Sequence, residues 1–101
     1  MPIFRERDWI KDLPDGFTIY FYLKTFLGQI VSFSAVLLKD GECVTRFDTA
    51  HGFIHRDVIG RKNGFLHKEK YSDLTLKEGF KYANEDLSAN HTRYYEYYEN
   101  H

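Results

Sequence analysis

The chain has 101 residues, with 14 Lys+Arg against 15 Asp+Glu, a formal net charge of -1, one Cys and 18% aromatic residues. That length predicts a single domain, residues 1–101, whose core needs no metal or disulfide staple, and it excludes a two-domain enzyme with its own cofactor fold. Near-neutrality excludes a global field steering the protein to DNA or a membrane, and the lone Cys43 excludes a disulfide scaffold.

The first eight residues, Met1-Pro2-Ile3-Phe4-Arg5-Glu6-Arg7-Asp8, alternate charges where a signal peptide would carry an apolar run. Trp9-Ile10-x2-Leu13 reads as a short amphipathic turn closing one end of the core, and Pro14-Asp15-Gly16 as a turn. Phe17 to Phe26 is rich in β-branched and aromatic residues and predicts strand one. Ile30 to Leu38 alternates apolar residues with Ser32 and Ser34, predicting a second strand paired back on the first. Asp40-Gly41 marks a tight hairpin into Cys43–Phe47, and the three strands form an antiparallel meander. The stretch Phe17 to Leu38 is interrupted by Lys24, Gly28, Gln29 and Ser32, so it predicts no bilayer-spanning helix. The expectation is a soluble cytoplasmic protein with no membrane contact.

Asp48 to Phe53 reads as a loop, Ile54–Ile59 and Phe65–Lys70 as a second hairpin turned at Lys62-Asn63-Gly64. From residue 75 the period changes. Thr75 and Glu78 fit a capping box, and Leu76, Phe80, Ala83, Leu87, Tyr94 and Tyr98 form the apolar stripe of a long helix reaching the high nineties. The predicted fold is α+β: an antiparallel sheet of about five strands, meander plus hairpin, with one long C-terminal helix packed on one face.

The chemically dense segment is Arg46-Phe47-Asp48-Thr49-Ala50-His51-Gly52-Phe53-Ile54-His55-Arg56-Asp57, which holds two each of His, Asp and Arg in twelve residues. The period of a strand puts His55 and Asp57 on one side, where the carboxylate can orient the imidazole. Three readings fit. In a metal-independent, ribonuclease-like site, His51 and His55 serve as general base and acid, Asp48 and Asp57 join them as proton-handling groups, and Arg46 or Arg56 holds the phosphate. In a metal site, His51 and His55 join Asp48 or Asp57 in a two-His-one-carboxylate set. In the structural reading, Asp48 caps a turn, Gly52 takes a positive φ, and the His and Arg side chains satisfy buried backbone or each other.

Charge is uneven along the chain. Residues 46–70 carry six basic and three acidic side chains, and residues 72–101 the reverse, three and six. The 46–70 face is therefore a candidate RNA contact. The run Tyr94-Tyr95-Glu96-Tyr97-Tyr98 predicts packing on the sheet and a homodimer contact through the helix. No cofactor is implied, and Cys43 has no evident base beside it.

On Arg46 to Gly52 followed by His55 and Asp57, the sequence resembles a family of small uncharacterised archaeal and bacterial domains marked by Arg-Phe-Asp-Thr-Ala-His-Gly-x2-His-x-Asp. The resemblance implies a similar sheet-plus-helix fold and assigns no activity. More distantly, the Arg-x-Asp segment with clustered His is similar to the TumE-type toxins of toxin and antitoxin pairs. That likeness implies action on RNA. The leading expectation is an RNA-related, toxin-like domain with His51, His55, Asp48, Asp57 and Arg46 as its polar site; the alternatives are a non-enzymatic interaction module, dimeric through its helix, and a metal-binding domain.

Overall fold

The computed structural model describes residues 3–101, apart from the side chain of His51. Six strands form one antiparallel sheet: β1 Phe4–Asp12, β2 Phe17–Phe26, β3 Gln29–Lys39, β4 Glu42–Asp48, β5 His55–Gly60 and β6 Gly64–Lys70. Their spatial order is their chain order. The helix α1, Leu76–Glu99, closes the chain and covers one face of the sheet. The α+β architecture is as expected, with one strand more than the sequence reading placed.

The added strand is β1, where an amphipathic turn was expected. Its ladder with β2 runs unbroken from Phe4 opposite Phe26 to Asp12 opposite Thr18. Six of its nine residues are charged, a composition that suits an edge strand whose free side must discourage pairing with other chains. Trp9 anchors it to the core, stacked on Phe21 at 5.2 Å and edge-on to Phe80 at 5.9 Å. On the same side Lys11 Nζ donates to Asn84 Oδ1 (3.1 Å) and Ser88 Oγ (2.8 Å), tying β1 to the helix. On the other face the hydroxyls of Tyr20 and Tyr22 donate to Asp8 and Glu6.

The core lies between sheet and helix. Ile19, Phe21, Phe33, Ala35, Leu37, Val44 and Phe47 come from the strands, and Ala83, Leu87 and Tyr98 from α1. The helix begins in a capping box: Thr75 Oγ1 accepts from the Glu78 N–H at 3.1 Å, and Glu78 Oε1 accepts from the Thr75 N–H at 2.9 Å. Gly79 sits one turn in, buried against Ile54 and Phe33. The helical angles break once, at Asn90 (φ -116°, ψ 15°), whose side-chain amide donates to Asp86.

Turn chemistry sets the hairpins. Asp40 (φ 49°) and Gly41 (φ 86°) make the two-residue β3–β4 turn, as Asp-Gly predicts. The β2–β3 turn uses Leu27 (φ 50°) with Gly28 (φ 81°), which puts an apolar residue in a left-handed conformation. Bulges shift the register between Lys24 and Thr25, Leu37 and Leu38, and Val58 and Ile59.

Candidate functional site: an ion-paired cluster on the helix-free face

The alternation of β5 sorts the dense segment onto two faces. Arg56 and Val58 face α1, with the Arg56 guanidinium 4.5 Å from the ring centre of Tyr94. His55 and Asp57 therefore point to the helix-free face, as the strand period requires. Two rows cross three strands there. Arg46, Asp57 and Lys68 are register partners on β4, β5 and β6, and Asp48, His55 and Lys70 form the next row.

The first row is a cation–anion–cation clamp. Asp57 Oδ2 accepts from Arg46 Nε at 2.7 Å, and Oδ1 accepts from Lys68 Nζ at 2.8 Å. The Asp57 side chain is 1% exposed, whereas Arg46 is 48% and Lys68 33% exposed, so the anion is dry and its partners reach water. Burial alone would push the Asp57 carboxyl up; the hydrogen bonds and positive charge of Lys68 and Arg46 outweigh it and hold the group below the usual carboxylate range. The Asp57 hydrogen bond raises Arg46 reciprocally.

His55 lies in the second row, also 1% exposed. Its Nδ1 is 3.3 Å from the Phe53 carbonyl and its Nε2 is 3.2 Å from Lys68 Nζ. A carbonyl only accepts, so the Nδ1 contact is one in which the ring N–H donates. The Asp57 and Asp48 carboxylates stand 3.5 and 3.8 Å from Nε2. The Phe53 ring lies 5.3 Å from the imidazole, and Lys70 reaches over that ring at 4.8 Å. Asp48 Oδ1 accepts from the Ala50 N–H at 2.5 Å, an Asx-type bond leading into the 3-10 turn over Ala50–Gly52. Gly52 at the end of that turn has φ +80°.

Of the residues expected to form a site, Arg46, Asp48, His55 and Asp57 are thus brought together. The His51 side chain lies outside the described residues. Arg56 is removed to the other face, where Glu69 Oε1 accepts from its Nε (3.2 Å) and Nη2 (2.8 Å), and Thr45 Oγ1 from its Nη1 (2.9 Å). Lys68 is the member that motif reading missed. It is distant in sequence from the segment and enters only through strand pairing. Among the described residues no group of three or more His, Cys, Asp or Glu is arranged to hold a metal ion. Cys43 is partly buried, and burial pushes its thiol up, away from the reactive thiolate.

The tyrosine run turns inward. Tyr98 is buried, Tyr95 packs edge-on to Phe17 at 5.5 Å, and Tyr94 lies against Arg56. Tyr97 is 39% exposed, with its ring stacked 3.8 Å from that of His101. The rings expected to meet a second copy are thus largely engaged within the chain.

Fold and site together define a small α+β domain: a six-stranded meander under one helix, carrying a buried charge cluster on its uncovered face. The chain belongs to the family described as domain of unknown function DUF7718, which it matches over residues 4–101. No curated protein and no solved structure matches it. No helix among the described residues is long and apolar enough to cross a membrane.

Proposed function

We propose that the domain is a non-enzymatic binding module whose working surface is the β4–β6 side of the helix-free face, and that its partner there is single-stranded RNA. The reading is carried by Arg46. Only its Nε is engaged by Asp57; both Nη nitrogens lack an acceptor among the described residues, and the side chain is half exposed. A guanidinium fixed at one nitrogen and open at two suits a phosphate. Lys68 and Lys70 stand on the same face, and Phe65, 57% exposed beside Lys68, offers a ring on which a base can stack.

The sealed imidazole of His55 favours binding over cleavage. A ribonuclease-like role needs Nε2 within reach of a substrate oxygen, and Lys68 stands in that position. The cluster then serves as a rigid floor that locks β4, β5 and β6 and presents the outer cations.

Fluorescence anisotropy with a short labelled single-stranded RNA tests this. Saturable binding is expected, weakening as salt rises, with Arg46→Gln and Lys70→Gln each flattening the salt dependence by about one phosphate contact. Absence of binding at low salt overturns the proposal. RNA cleavage by the wild type that persists in chelator and is lost in both His51→Ala and His55→Ala, with folding intact, overturns its non-enzymatic half and restores the toxin-like reading.

A further inference from the structure

The helix-facing side of the second hairpin holds a separate feature. Between α1 and strands β5 and β6 lies a recess of about 270 Å³. Its floor is Arg56, Val58 and Tyr94, its wall Glu69, and its mouth His67, Arg93 and Tyr97.

The recess is assembled around one aromatic ring and two guanidiniums. The Tyr94 ring has the Arg56 Cζ 4.5 Å from its centre and the Arg93 Cζ at 5.4 Å. The Tyr94 hydroxyl donates to the Asp86 carboxylate, which fixes the ring; burial and that carboxylate push the phenol upward, so it stays protonated. Arg56 is a buried cation with a 10% exposed side chain, and its contacts to Glu69 and Thr45 use three of its five N–H groups. Glu69 is the sole carboxylate of the lining. Burial would raise it, but the Arg56 hydrogen bonds hold it below the usual range, so its charge is matched by Arg56. Arg93 is then in excess. Arg93 is exposed and pairs with no carboxylate among the described residues.

We propose that this recess binds a small phosphomonoester bearing a flat ring, of the chemical class of a nucleoside monophosphate. The unused N–H donors of Arg56 and those of Arg93 suit a phosphate, because guanidiniums grip phosphate through paired N–H donors. The partly exposed Tyr97 ring at the mouth offers apolar surface for a planar group. At about 270 Å³ the recess is at the small end of ligand-pocket sizes, which limits it to a small ligand or part of one.

Calorimetric titration with 5′-AMP, adenosine and inorganic phosphate tests the assignment. AMP is expected to bind saturably at one site, tighter than either fragment, and Arg93→Gln to weaken it about tenfold or more, the loss of one hydrogen bond to a charged group. Because Arg93 is exposed, its variant should keep the wild-type unfolding midpoint. Arg46→Gln, on the opposite face, should leave AMP affinity unchanged while weakening RNA, so this proposal and the RNA proposal fail separately. No saturable heat with AMP, an affinity for inorganic phosphate equal to that for AMP, or an AMP affinity indifferent to Arg93→Gln overturns it.

Discussion

The Cδ1 methyl of Ile54 occupies the space in which Gly79 would carry a Cβ. In an isolated helix, Gly→Ala is worth about 1 kcal/mol of stability. Here Ile54 is buried and cannot yield freely, so Gly79→Ala is expected to destabilise by about 1–3 kcal/mol through overpacking. Ile54→Val removes the obstructing methyl, costing about 1 kcal/mol alone. Urea unfolding of both single variants and the double variant should show the double less destabilised than the two singles added. Strict additivity would remove the steric explanation.

Asp57 gives the fold a pH signature. Its folded pKa is depressed, so its contribution is complete above the unfolded value of about 3.9 and is lost as pH falls through the folded value. Asp57→Asn should therefore be less stable at pH 7 by about 2 kcal/mol, as expected for hydrogen bonds to a buried charge whose partners are partly solvated. Below about pH 4 the gap should begin to narrow, and it closes only once pH has fallen through the folded value. Urea midpoints at pH 7, 5 and 3 measure this; a constant gap across all three rules out the clamp as its source.

Thr75→Ala removes half of the capping box and should lower stability by about 1 kcal/mol. Glu78→Gln should be milder, because an amide oxygen still accepts from the Thr75 N–H. The unfolding midpoints of the two variants give the comparison, and an Ala variant equal to wild type would show that the cap is energetically idle.

Leu27 predicts the opposite direction. It is 68% exposed and adopts φ 50° at the β2–β3 turn, where Asn-Gly is the favoured pair. Leu27→Asn should raise stability, by up to about 1 kcal/mol, without moving the Leu27 N–H bond to the Ile3 carbonyl. A lower melting temperature in the variant would indicate that Leu27 has a packing partner.

Much of this was readable from periodicity. Strands β2 to β6 and the helix lie where alternation, Asp-Gly, Asn-Gly and the Thr75–Glu78 pair put them. β1 escaped because apolar alternation is the signal of a half-buried strand, and on this edge Trp9 and its flanking charges carry almost none. For the site, the period of two was enough to separate His55 and Asp57 from Arg56. It could not supply Lys68, because the pairing of Asp57 with Lys68 depends on a register that shifts at Val58/Ile59. The burial of His55 was equally hidden, since it arises from Phe53, Lys68 and Lys70 closing over one face.

The strict neighbour order of the sheet bears on how the chain is made. Each strand leaving the ribosome finds its partner in the segment synthesised just before it, so every ladder closes a short loop and none waits for distant chain. The helix is the exception. It emerges after all six strands, and until Ala83 and Leu87 arrive, the apolar face built by Ile19, Phe21, Phe33 and Phe47 stands open to water. The nascent meander is therefore most prone to association in that interval, and the charges of β1 already guard its first-made edge.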